Sequence, residues 1–144
     1  MTTFYKLALS LILFTFTTLS IAQTTIYVSP SGSNGNDGSQ ASPFQTIQFA
    51  LSQMTTATTI EIMAGTYTEY LYLDGKVGTV TEPNVIKPFG NDAVIIDGGG
   101  ASAGSGDALL FISNSAFLTI ENITFKNIIS NYVSGVNINT NCQN

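Results

Sequence analysis

The chain has 144 residues with four lysines, nine acids, no histidine and one cysteine, and a net charge of −5. Absent histidine excludes a Ser-His-Asp or Cys-His nucleophile and a His-ligated metal within it. A lone Cys excludes an internal disulfide framework and a Cys-based zinc site, and four lysines without arginine leave no basic footprint for nucleic acid.

Residues 1–22 read as a secretory leader. Lys6 supplies a positive start, and Leu7 to Ala22 holds eleven apolar residues in sixteen. Ser20-Ile21-Ala22 is a small-x-small cleavage pattern that leaves Gln23 first. The run falls short of the roughly 20 residues that span a bilayer. A secreted, periplasmic or cell-surface protein with no membrane attachment after cleavage is therefore expected. The remaining 122 residues carry nine acids and three lysines, net −6, and 51 of them are Gly, Ser, Thr or Asn interleaved with 20 Ile and Val. Many short strands joined by many turns follow from that composition.

Tyr27-Val28-Ser29 alternates as a short strand. The Gly- and Asn-rich stretch 31–39 lacks the alternating acids and closing Glu of an EF-hand, so a flexible surface turn is expected there and not a calcium loop. Ser42-Pro43-Phe44-Gln45 places an N-cap, a first-turn proline and a capping-box Gln. Phe44, Ile47, Leu51 and Met54 then fall at helical spacing, which predicts an amphipathic helix of about ten residues covering the chain's own core. The Thr-rich run from Thr55 to Thr59 ends it.

From Thr59 the pattern is strand throughout, with 60–62 leading into 64–67 and further segments at 70–73, 85–86, 94–96, 109–112, 118–125 and 135–139. Shifting the chain by 24 sets Val94, Ile96 and Asp97 on Leu118, Ile120 and Glu121. A shift of 26 sets Leu110 and Ile112 on Val136 and Ile138. A period near 25 predicts a parallel β-solenoid, with small or Asn residues at its corners. A β-sandwich is the alternative, but it does not explain a match that returns after three strands.

Three stretches carry a resemblance: Tyr27 to Ser39, Ser42-Pro43-Phe44-Gln45-Thr46-Ile47-Gln48, and Ile62-Met63-Ala64-Gly65-Thr66-Tyr67-Thr68-Glu69. With Val94 to Gly98 and Leu118 to Phe125, they resemble the N-terminal region of secreted right-handed parallel β-helix proteins of the pectate-lyase-like superfamily. The resemblance implies an all-β, right-handed parallel β-helix with one N-terminal capping helix, incomplete at its C-terminus. It divides the chain into a signal peptide (1–22), an N-terminal strand, loop and capping helix (23–58), and the first three to four coils (59–144). It further implies an exported protein acting on polysaccharide, foremost a lyase of acidic polysaccharides whose catalytic groove lies beyond this chain. Calcium is the cofactor that family membership would bring. A non-catalytic carbohydrate-binding or adhesion module is the alternative.

No catalytic residue stands out. Lys76, Lys87 and Lys126 read as solvated lysines. Asp97 and Glu121, on neighbouring coils at the 24-residue offset, are weak candidates for a shared metal; two turn-adjacent surface acids are the plainer reading. Tyr67, Tyr70 and Tyr72 offer a sugar-stacking surface or ordinary packing, with only Tyr70 and Tyr72 on one strand face. Asn122-Ile123-Thr124 matches a glycosylation sequon, and Cys142 reads as a buried small apolar residue.

Overall fold

The structure is a computed structural model that describes residues 23–99, 108–128, 135–138 and 142. The expected leader, residues 1–22, lies outside the described residues. Ten strands and one helix follow in chain order: β1 (Thr24–Val28), α1 (Ile47–Gln53), β2 (Thr58–Ile62), β3 (Gly65–Tyr67), β4 (Leu71–Asp74), β5 (Asn84–Pro88), β6 (Val94–Asp97), β7 (Leu110–Ser113), β8 (Leu118–Ile120), β9 (Ile123–Lys126) and β10 (Val136–Ile138). They assemble into three sheets of order β1-β2-β5-β8, β3-β6-β9 and β4-β7-β10, and every pairing is parallel. From β2 onward, each run of three strands contributes one to each sheet before the chain returns beside its start. The fold is a parallel β-solenoid.

Strand alternation builds the interior. In β4, Leu71 and Leu73 are buried while Tyr72 and Asp74 are exposed, as a period of two requires. Because the sheets are parallel and in register, inward residues stack on their own kind. Ile26, Ile60, Ile86 and Ile120 form one row through the first sheet. Tyr67, Ile96 and Phe125 form a second, and Leu73, Ile112 and Ile138 a third. Full burial of one such side chain, as at Ile60, Ile96 and Leu73, stabilises the fold by about 1.5–3 kcal/mol. Coverage fades along the rows: Leu73 is fully buried, Ile112 is 5% exposed and Ile138 is 65% exposed. At the corners, Asn114, Asn122 and Asn127 adopt left-handed φ of 47°, 53° and 56°. A short polar side chain tolerates that region best after glycine.

The helix starts later than the capping box suggests. Thr46 is the N-cap, accepting from the Phe49 N–H, and α1 spans seven residues. Ser42 and Phe44 are instead extended: Phe44 donates its N–H to Tyr27 O, and its own carbonyl accepts from Ser29 N. That bridging to β1 competes with helix formation and wins. Asn34 fixes the boundary, its Oδ1 accepting from Gln45 N and Thr46 N at 3.0 and 3.1 Å. The 31–39 stretch is therefore a tied turn, with Asn36 Nδ2 on Pro43 O and Asp37 Oδ1 taking Ser39 N.

Ile47, Ala50 and Leu51 turn the buried face of α1 toward β1, β2 and β4. Polar side chains fasten both ends and the middle. Glu69 accepts from the Ile47 and Gln48 N–H groups, each at 2.9 Å. Lys76 Nζ donates to Ser52 O and Met54 O past the last turn. Both charges have the sign that the helix dipole favours. Gln48 bonds the main chain of Tyr72 through both ends of its amide, along the edge of β4 that no strand covers.

Candidate functional site

The repeat places the outward residues of the β4-β7-β10 sheet in a row, Tyr72, Phe111 and Asn137. Tyr72 and Phe111 stack with ring centroids 5.3 Å apart and planes within 9°. In-register strands about 4.8 Å apart hold equivalent rings at stacking distance, so the pair follows from the sheet itself. Tyr72 is 55% and Tyr70 42% exposed. On the same face of β4, Asp74 Oδ1 accepts from Ser113 Oγ and Asn114 Nδ2. These bonds hold its carboxyl below the ordinary aspartate range, Ser113 contributing most. The result is an exposed tyrosine ring stacked on a half-buried phenylalanine, beside an ionised carboxylate.

Of the three tyrosines singled out in the sequence, Tyr67 is not on this surface. It is 4% exposed, and its hydroxyl donates to Met63 O at 2.8 Å. Burial, with Glu69 and Asp92 nearby, raises its pKa strongly. Phe111 escaped the sequence reading although a signal exists: Leu71-Tyr72-Leu73-Asp74 and Leu110-Phe111-Ile112-Ser113 share one apolar–aromatic–apolar–polar pattern. The long connection between β6 and β7 moves the two motifs far from a 25-residue spacing.

Asp97 and Glu121 are not brought together. In the β6–β9 register Asp97 stands opposite Lys126, and their charged atoms lie 3.5 Å apart. Asp97 also accepts from Gly99 N at 2.9 Å and Asn127 Nδ2 at 3.0 Å. The Gly99 N–H, then Asn127, hold its carboxyl below the ordinary range, with Lys126 adding to them. Glu121 sits beyond β8, in the other sheet's corner, where its N–H bonds Ile86 O. The 24-residue shift therefore fails here, because the β6-to-β9 repeat is longer and lands Val94 on Ile123. Among the described residues no group of three or more His, Cys, Asp or Glu could hold a metal ion. A carboxylate already committed to an ammonium and two N–H donors does not fit calcium.

The lysines are engaged elsewhere. Lys87 pairs with Glu61 at 3.4 Å, Lys126 with Asp97, and Lys76 with the end of α1. Among the described residues, then, every lysine has a structural partner. A half-open pocket of about 380 Å³ is lined by Leu118, Ile120, Ile123, Phe125 and Ile138 among others. Cys142 lines it as well, half-buried, with Sγ 3.9 Å from Ile112 O. Asn122, the sequon residue, is an exposed corner residue between β8 and β9. No helix among the described residues is long and apolar enough to cross a membrane.

No family model matches the chain. Over 80 residues, 55% of its length, it is 39% identical to a pectate lyase, PEL9, of Emericella nidulans, covering 20% of that protein. It is 32% identical over 120 residues to an uncharacterised Bacillus subtilis protein, YwoF, covering 25% of it. The chain thus spans a quarter or less of the curated relatives it matches. Among solved structures it superposes on a rhamnogalacturonan lyase with TM-score 0.56 at 19% identity, over 71% of this chain and 28% of the other. A lacto-N-biosidase of Eubacterium ramulus gives 0.61 at 19% identity, over 72% and 20%. The class defined by the fold is a parallel β-helix, which this chain shares with those two structures. Within that class, 80 of its residues are similar in sequence to those of a pectate lyase.

Proposed function

We propose that this chain is the N-terminal part of an exported protein that acts on polysaccharide, foremost as a lyase of acidic polysaccharides. The observation that carries the reading is the 39% identity to a pectate lyase, within a chain folded as stacked parallel coils. Right-handed coiling agrees with the strong bias of parallel crossovers toward that hand. The role of α1 as an N-terminal cap is supported by Glu69, Gln48 and Lys76, which fasten it over the β4 edge. Export is supported by the leader pattern of residues 1–22 and cleavage near Ala22.

The catalytic groove belongs to coils beyond residue 144. Lyase chemistry needs a base and a positive centre for the developing enolate, and the three described lysines are all engaged in structural contacts. An in-frame continuation of the gene after Asn144, carrying further coils with an unpaired Lys or Arg beside acids, is the expected finding. The decisive assay incubates that longer protein with polygalacturonate and rhamnogalacturonan and follows the ultraviolet absorbance of unsaturated ends. Absence of such products, together with no retention on any polysaccharide, overturns the reading.

A further inference from the structure

We infer that the outer face of the β4-β7-β10 sheet is a sugar-binding subsite for an uncharged pyranose ring, with Tyr72 and Phe111 as its platform and Asp74 as its hydrogen-bond acceptor. The inference rests on the reading that the protein acts on polysaccharide, and not on the lyase step. Three observations carry it.

The first is exposure. The Tyr72–Phe111 pair, stacked at 5.3 Å, leaves Tyr72 55% exposed, with Tyr70 on the same strand side 42% exposed. Aromatic rings with one apolar face and a polar rim suit ligands that are themselves amphipathic. A sugar ring, with C–H groups on its faces and hydroxyls at its edge, is such a ligand.

The second is the polar neighbour. Tyr72 and Asp74 alternate outward on one strand, two residues apart and so on one face. Asp74 is ionised and anchored by Ser113 and Asn114, which sets a charged acceptor at a fixed place beside the rings. A charge-assisted hydrogen bond from a hydroxyl to a held carboxylate is stronger than a neutral one.

The third is charge. A uronate would bring its own carboxylate to Asp74 and would need a cation there. The chain has no arginine. Lys87 and Lys126 are paired with Glu61 and Asp97, and Lys76 closes α1. The face therefore favours a neutral unit, so the polysaccharide the protein handles contains uncharged sugars at the position this sheet reads.

The test is native affinity electrophoresis of the full chain through gels holding a neutral galactan, a neutral xylan or polygalacturonate. Retardation by a neutral polymer is expected. Tyr72→Ala should weaken it about threefold to tenfold, and Tyr72→Phe, which keeps the ring, should retain most of it. Phe111→Ala is read alongside a circular-dichroism spectrum, and Val80→Ser, on an exposed loop, should bind as the parent does. Equal retardation of the Tyr72→Ala and parent chains overturns the subsite while leaving polysaccharide action standing. Retardation by polygalacturonate alone overturns the assignment of a neutral ring. No retardation by any polymer overturns the subsite and counts against the wider reading as well.

Discussion

Gln48 pairs with Tyr72 as a neighbouring strand would: its Nε2 donates to Tyr72 O at 3.1 Å, and its Oε1 accepts from Tyr72 N at 2.7 Å. β4 ends its sheet, and an uncovered strand edge invites pairing with another chain. One side-chain amide thus occupies a position where the coil would otherwise expose a donor and an acceptor. Gln48→Ala should lower unfolding free energy by about 1 kcal/mol, and light scattering should show faster association on warming. Gln48→Glu, which keeps an acceptor and loses the donor, should fall between. An unchanged melting temperature and unchanged scattering in both variants would remove the edge-sealing role.

The isoleucine row predicts a gradient along the solenoid. Ile60 is fully buried between Ile26 and Ile86, whereas Ile120 is the last of the row among the described residues and is only half-buried. Ile60→Ala should cost about 2–5 kcal/mol, since neighbours stacked above and below cannot collapse into the space. Ile120→Ala should cost much less. Urea unfolding of the two variants measures the difference; equal costs would mean that the third coil is packed as tightly as the first.

Most strand positions and the three-strand repeat are legible in the sequence because alternation and turn residues mark them locally, but the expected strand 118–125 breaks at Asn122 into β8 and β9, which join different sheets. Register was only half legible. Leu110 does lie on Val136, as the 26-residue shift had it, but Val94 lies on Ile123 and Val85 on Thr119. An alternating aliphatic strand matches another at many offsets, so similarity alone selects no single one. What settles it is connection length, and the loops at 75–83 and between β6 and β7 make the coils unequal. The Asp97–Glu121 pairing depended on one offset and was lost with it. The Tyr72–Phe111 stack was hidden for the same reason, although both motifs were in view. The helix start was misread on different grounds: a capping box is a local signal, and the bridge from Phe44 to β1 is not local.

Acid should act through the aspartates at the corners. Asp97 and Asp74 both have carboxyls held below the ordinary value of 3.8, chiefly by the Gly99 N–H and by Ser113. A depressed folded-state pKa contributes stability that is complete above the unfolded value and lost as pH falls through the folded one. Thermal stability should therefore hold down to about pH 4 and decline below it. Asp97→Asn with Asp74→Asn should flatten that decline while lowering the plateau. A decline of equal steepness in the double variant would assign the acid sensitivity to other groups.

Asn84 ties consecutive coils from inside. It is fully buried, and its Oδ1 accepts from the Thr58 N–H at 2.9 Å, while its Nδ2 has no hydrogen-bond partner among the described residues. Asn84→Ala leaves that N–H buried and unpaired, which should cost about 1–3 kcal/mol. Asn84→Asp separates the acceptor from the idle donor. It keeps an oxygen for Thr58 and removes the unpaired amide, but it places a carboxyl in a dry interior. Burial disfavours the charged form, so the folded state of this variant should hold a proton that the unfolded state releases. Stability then rises as pH falls, opposite in sign to Asp97 and Asp74. The stability of Asn84→Asp relative to the parent should accordingly improve between pH 7 and about pH 5. A gap that stays constant over that range would show the carboxyl to be solvated, and the interior at this corner to be wet.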